Sequence, residues 1–241
     1  MNYKLLISYD GKNRKGWQRL NNQPSVQGKI EDVLSVMFGH KITINGAGRT
    51  DGGVHAKMQV ASFKAAEKPA EDIKKYLNKY LPEDISVYDV SVCDERFHAR
   101  YSAKSKVYEY TINFENRCPF IRKYSLFLET KPDIAKMKEA SEHFIGTHDF
   151  AVFSNAKSKK KSTVRTVYSI DISCSENIIK ILIHADGFLY NMARKIVGAL
   201  LECSFDEMNI SDIDKMFESG ERNLLNTLAP AHGLCLKEVI Y

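Results

Sequence analysis

The chain has 241 residues, 44% of them hydrophobic and 27% charged, so it can build a proper core as one large domain or two small ones. No apolar run approaches a membrane span, and the opening MNYKLLISYD lacks the basic start, apolar stretch and cleavage site of a signal peptide. Five scattered cysteines without CxxC spacing argue against a disulfide framework and a zinc site and point to a reducing cytoplasm, while a net charge of +5 suits a polyanionic partner without demanding one.

Tyr3, Leu5, Ile7 and Tyr9 alternate and predict a strand that ends at the turn-like DGKNRKG. PSVQGKIEDVLSVMFG then places Val26, Ile30, Val33, Leu34, Met37 and Phe38 at helical spacing behind Ser25 as a cap. A glycine-rich stretch, GAGRTDGGVHA, is followed by MQVASFK, which reads as a strand. PAEDIKKYLNKYLP is an amphipathic helix with Ile73, Tyr76, Leu77 and Tyr80 on one face, and DISVYDVSV alternates again.

The second half repeats that order. SKVYEYTINF is a strand with Tyr108, Tyr110, Ile112 and Phe114 on one side, and PDIAKMKEASEHFIG is a helix. RTVYSIDIS and IIKILIHAD form a hairpin. GFLYNMARKIVGALLEC is a strongly apolar helix, SDIDKMFESG a short one, and GLCLKEVIY a closing strand. Each half reads strand–helix–strand–strand–helix–strand, the ferredoxin-like split βαβ unit. The expected fold is α+β, with two such domains over 1–103 and 104–241 and mixed, mainly antiparallel sheets. The repeat lies in pattern rather than residue identity. Neither half carries a ribonucleoprotein motif with exposed stacking aromatics.

Within GAGRTDGGVHA four glycines surround Arg49 and Asp51. A phosphate cradle is disfavoured, because GK[ST] is missing and an aspartate would repel the ligand. No helix with dinucleotide-binding geometry starts here, and Asp51 and His55 have no metal-ligand partners at a familiar spacing, so no metal is expected. Two readings remain: a structural turn, which is what an aspartate among glycines ordinarily is, or a carboxylate placed for covalent or acid–base work. The second needs a cation nearby, since dehydrating a lone carboxylate costs several kcal/mol. Arg49 is a neighbour that can point the other way. Arg194, on an apolar helix that has little reason to carry a basic pair, is the other candidate, unless Arg194 and Lys195 simply mark that helix's solvated edge.

Lys157, Lys159, Lys160, Lys161 and Arg165 crowd into NAKSKKKSTVR, either as an arm that tracks phosphates or as a solvated loop that resists aggregation. Periodicity makes Tyr108 a core residue. His55, His98, His148, His184 and His232 share no spacing that suggests a relay.

GAGRTDGGVHA resembles the signature loop of the TruA family of tRNA pseudouridine synthases. ISYDGKNRKGWQRL, SVQGKIEDVL, LPEDISV, FHARYSAKSKVYEY, GTHDF, VRTVY, GFLYNMARKIVGAL and APAHGLCLKEVIY follow in that family's order, so the resemblance spans nearly the whole chain. It implies two ferredoxin-like domains flanking a basic active-site cleft, and a homodimer that grips one tRNA. It also implies isomerisation of uridine to pseudouridine in the anticodon stem and loop, with no cofactor. Carried over by motif, Asp51 is the nucleophile, Tyr108 stacks on the target base, Arg194 pairs with Asp51, and Arg49 helps extrude the nucleotide or fills its place. The glycines would let the flipped nucleotide approach the backbone closely.

Four features depart from the family pattern, one of them the unusually basic lysine-rich loop. Gly53 stands where alanine or serine is usual, Arg14 where an aromatic commonly precedes GWQ, and NTLAPAHG replaces a run of small residues and threonine. Two other readings compete: the same chemistry on another structured RNA, such as ribosomal RNA, and an RNA-binding or chaperone protein without catalysis.

Overall fold

The alternation at the N-terminus becomes β1 (Asn2–Tyr9), which buries Tyr3, Leu5, Ile7 and Tyr9 on one face. In this computed structural model, which describes residues 1–155, 162–221 and 225–241, most of the expected elements appear. Helix α1 (Val26–Phe38) starts where the Ser25 hydroxyl accepts a hydrogen bond from the Gly28 amide and ends at Gly39 in the left-handed conformation. It buries Ile30 and Leu34. Two strands follow, β2 (Asn45–Gly46) and β3 (His55–Lys64), then α2 (Ala70–Tyr80) and β4 (Ile85–Cys93).

β1 lies between β4 and β3, β2 pairs with the far side of β3, and every one of these pairings is antiparallel. That order, 4-1-3-2, is the split βαβ arrangement. Ile73 and Leu77 of α2 are fully buried, Tyr76 is half-buried and Tyr80 is exposed, so the apolar face is narrower than its sequence spacing suggests. On the same helix, the Asn78 side chain donates to the carbonyl of Val87 and accepts from its amide, both at 2.8 Å. A side-chain amide thus pairs with two backbone groups of β4 as a neighbouring strand would.

The second half opens with β5 (Ser105–Phe114), where Tyr108, Tyr110, Ile112 and Phe114 are all buried. β6 (Leu126–Leu128) runs parallel to its end. Asp133 caps α3 (Ile134–Glu142) by accepting from the amides of Ala135 and Lys136. β7 (Gly146–Asp149) pairs with β8 (Val164–Ser175), which forms the expected hairpin with β9 (Ile178–Ala185), and β9 pairs antiparallel with β5. Helices α4 (Met192–Ser204) and α5 (Ser211–Ser219) follow. Phe144, Phe150 and Phe153 are buried around Phe217, whose ring stacks on His148 at 4.6 Å.

The chain closes with β10 (Leu234–Ile240), which runs parallel to β3 and pairs Cys235 with His55 and Leu236 with Ala56. The compact units are therefore Met1–Lys104 together with Cys235–Tyr241, and Ser105–Leu234. The closing strand, grouped with the second half by its place in the chain, belongs to the first unit. A strand's alternation says which faces it has; it does not say which edge it will join. No helix among the described residues is long and apolar enough to cross a membrane.

Candidate active site

In the first unit, the stretch from Gly46 to His55 rests on the loop that follows β1. The Trp17 amide donates to the Thr50 carbonyl at 3.0 Å, and the Gly53 amide donates to the Arg14 carbonyl at 3.3 Å. Gly16, with φ of 99°, is so close beneath the turn that a Cβ would lie 2.6 Å from the Thr50 oxygen and 3.1 Å from the Asp51 carbonyl carbon. Gly11 is closer still, since a Cβ there would meet the Val54 oxygen at 1.9 Å. Within the turn, Gly46 carries the Trp17 indole directly on its backbone, and Gly53 is left-handed at φ of 83°. At Gly11 and Gly16 the two backbones thus lie in direct contact, with no room for a Cβ between them.

Side chains lock the two ends of this contact. The Thr50 hydroxyl lies 2.7 Å from the Tyr9 hydroxyl, and the Gln59 amide donates to the Gly48 carbonyl at 3.0 Å. Burial pushes the Tyr9 hydroxyl far above the ordinary tyrosine range, so it stays protonated. Thr50 is buried, while Asp51 is half-buried and Arg49 exposed, which leaves both charged groups at the accessible side of the turn. His55 Nδ1 is 3.1 Å from the Gly11 amide nitrogen and 3.1 Å from an Asp10 carboxylate oxygen.

Arg14, one of the departures from the family pattern, is buried. Its guanidinium makes a two-pronged ion pair with Asp84, Nε to Oδ2 at 2.8 Å and Nη2 to Oδ1 at 2.5 Å. The Asp84 carbonyl also accepts from the Asp10 amide at 2.9 Å. The pair ties the supporting loop to the turn before β4.

In the second unit, every residue of α4 is buried except Arg194 and Lys195. Arg194 is held on two sides, donating from Nε to the Ala229 carbonyl at 2.7 Å and from Nη1 to Asn191 Oδ1 at 3.1 Å. Tyr110 donates its hydroxyl to the Pro230 carbonyl at 2.9 Å. Burial raises that hydroxyl far above its ordinary range, and the charge of Arg194 offsets part of the rise. Tyr108, two residues earlier on the same face of β5, is 7% exposed and meets Phe188 edge-to-face with centroids 4.8 Å apart.

Arg49 and Asp51 therefore share one turn of the first unit, and Tyr108 and Arg194 belong to the second. Arg165 is tied to the backbone just before it, donating to the carbonyls of Ser162 and Val164. Lys157, Lys159, Lys160 and Lys161 lie outside the described residues. Among the described residues, no three His, Cys, Asp or Glu side chains gather as metal ligands would. Sequence reasoning missed Tyr9, Gln59, Arg14 and Tyr110 as supports for the site residues. The distance in sequence between each and its partner hid them.

The sequence matches the family described as tRNA pseudouridine synthase over residues 5–102 and 140–241. The chain belongs to this family. It is 52% identical to a tRNA pseudouridine synthase A 2 of Bacillus cereus over 241 residues, covering 99% of this chain and 98% of the relative. It is 50% identical to tRNA pseudouridine synthase A of a Bacillus species, covering 100% of this chain and 99% of the relative. It is 43% identical to the protein of that name in Clostridium kluyveri, with the same coverage. A solved archaeal box H/ACA sRNP Nop10-Cbf5 complex aligns at a TM-score of 0.38 and 9% identity, over 95% of this chain and 58% of that one, too slight a likeness to bear an argument. The protein is a pseudouridine synthase, an isomerase.

Proposed function

We propose that this synthase acts on tRNA and isomerises uridine in the anticodon stem and loop, with Asp51 as nucleophile. The observation that carries the reading is the match, over essentially their full length, to relatives named tRNA pseudouridine synthase A. The geometry of the glycine turn supports the role of Asp51. A backbone pinned from beneath, with Thr50 tied inward, fixes the point from which the adjacent Asp51 side chain leaves the chain, and a nucleophile needs a defined mount.

The reaction breaks the C1′–N1 bond, forms a C1′–C5 bond and releases the proton from C5, while N1 gains one. The carboxylate assists by adding to the base or to the sugar. The target nucleotide leaves its stack at a cost of a few kcal/mol and is held while the uracil rotates. In this reading Tyr108 supplies the stacking ring, and Arg194 is the cation that keeps Asp51 ionised once water is excluded. Arg49 helps extrude the nucleotide or fills its vacated place. Arg165 and the lysines from 157 to 161 follow the phosphates of the RNA, and the working form is a cytoplasmic homodimer.

Incubating the protein with unmodified tRNA and ribosomal RNA transcripts, then mapping pseudouridine at nucleotide resolution, tests the reading. Modification confined to the anticodon stem and loop of tRNA is expected. Modification of ribosomal RNA alone would keep the enzyme and overturn the substrate. Binding to both without modification would favour the chaperone.

A further inference from the structure

Besides Arg194 and Lys195, helix α4 carries a buried acidic side chain that catalysis does not explain. Glu202 is 3% exposed and stands in the last turn of the helix, where the helix dipole disfavours an acid. Its Oε1 accepts two backbone amides, from Asn226 at 3.1 Å and from Thr227 at 2.6 Å. Its Oε2 is buried without a hydrogen-bond partner among the described residues. Those two amides belong to the described stretch 225–230, a strap without regular secondary structure.

The same strap holds Arg194. Arg194, Gly198 and Glu202 recur every four residues and form one stripe along α4. Glu202 takes the amides of residues 226 and 227. Gly198 lies so close that a Cβ would meet the Thr227 oxygen at 2.3 Å. Arg194 exchanges two hydrogen bonds with Ala229, Nε to its carbonyl and its amide to the Arg194 carbonyl. Tyr110 closes the far end at the Pro230 carbonyl. A long, rotamer-rich guanidinium is thus oriented by a carbonyl on an irregular segment, and the charged anchor of that segment is Glu202, two helical turns away.

We infer that Glu202 is a positioning residue for Arg194, acting through the strap 226–230. The inference rests on the reading of Arg194 as a group the reaction needs. Loss of the carboxylate frees the two amides, lets the Ala229 carbonyl drift and blurs the direction of the guanidinium. A displacement of about 1 Å in such a group lowers turnover roughly 10- to 100-fold.

The test compares kcat and KM on a tRNA transcript for Glu202→Ala, Glu202→Gln, Arg194→Ala and the Arg194→Ala/Glu202→Ala double variant, with thermal melts of each. Glu202→Ala is expected to lower kcat roughly tenfold or more with KM little changed. Glu202→Gln keeps an acceptor for both amides and should recover most of the loss. In the Arg194→Ala background, removing Glu202 should cost nothing further in kcat. If Glu202→Ala does not fold, Glu202→Asp, which draws the acceptor back by one methylene, carries the same comparison. Wild-type kcat in Glu202→Ala beside a crippled Arg194→Ala would overturn this inference alone, as would fully multiplicative losses in the double variant. Wild-type kcat in Arg194→Ala would remove the reading of Arg194, and the inference with it.

Discussion

The turn that carries Asp51 and the strap that orients Arg194 solve one problem in different ways. In the turn, backbone lies on backbone, with Gly11 and Gly16 beneath Thr50 to Val54, and side chains only secure the margins. In the strap, one glycine contact at Gly198 is flanked by charged side chains that take up backbone groups, Glu202 at one end and Arg194 at the other. Close approach of backbones tolerates no added atom, so errors there are abrupt. Hydrogen bonds to a long side chain can be weakened by degrees. The turn should therefore respond to substitution as a switch and the strap as a graded control.

The largest effect is expected at Gly11→Ala. A Cβ 1.9 Å from the Val54 oxygen must displace one of the two loops, at a cost of about 3 kcal/mol in urea unfolding, with turnover lost in what still folds. Gly198→Ala sharpens the contrast. Alanine gains about 1 kcal/mol as a helix former, yet the new methyl meets the Thr227 oxygen at 2.3 Å, so the net change is a destabilisation of about 1–2 kcal/mol. An unchanged melting curve for either variant would show that the contact yields more easily than its geometry says.

Asp84→Asn tests the edge of the turn. It leaves the guanidinium of Arg14, a side chain only 8% exposed, without its counter-ion and should cost about 1–3 kcal/mol. The double variant Arg14→Met/Asp84→Leu should regain most of that, since no buried charge is left alone. The smallest effect belongs to Tyr9→Phe, which removes the hydroxyl beside Thr50 and should cost about 0.5–1.5 kcal/mol. A larger loss, with kcat reduced in step, would mean that Thr50 steers Asp51 more strongly than the backbone contacts do.

Much of this was legible from residue patterns. Tyr3, Leu5, Ile7 and Tyr9 announced β1, Ser25 announced the start of α1, and the apolar run around Met192 announced a buried helix, because each signal is local. β2, with two residues, and β6, with three, are too short to show a period. The pairing of β10 with β3 joins residues 180 positions apart at Cys235 and His55, and no local pattern encodes such a choice. The site divides along the same line. Asp51 stood out because glycine and charge cluster around it in sequence. Arg14 with Asp84, and Glu202 with Thr227, are partners only once the chain has folded. Gly46 shows a different limit: read as room for a nucleotide, it is also the seat of the Trp17 indole.

The most direct measurement is tritium release from C5-labelled uridine in unmodified tRNA, comparing wild type with Asp51→Asn at matched RNA occupancy. Making pseudouridine must expel the C5 hydrogen, and the amide keeps the shape of the turn while removing the carboxylate proposed as nucleophile. Release by wild type alone, with RNA affinity preserved within about 1.4 kcal/mol, is the expected result. Equal release by Asp51→Asn would contradict the role of the turn as the mount of the reacting carboxylate.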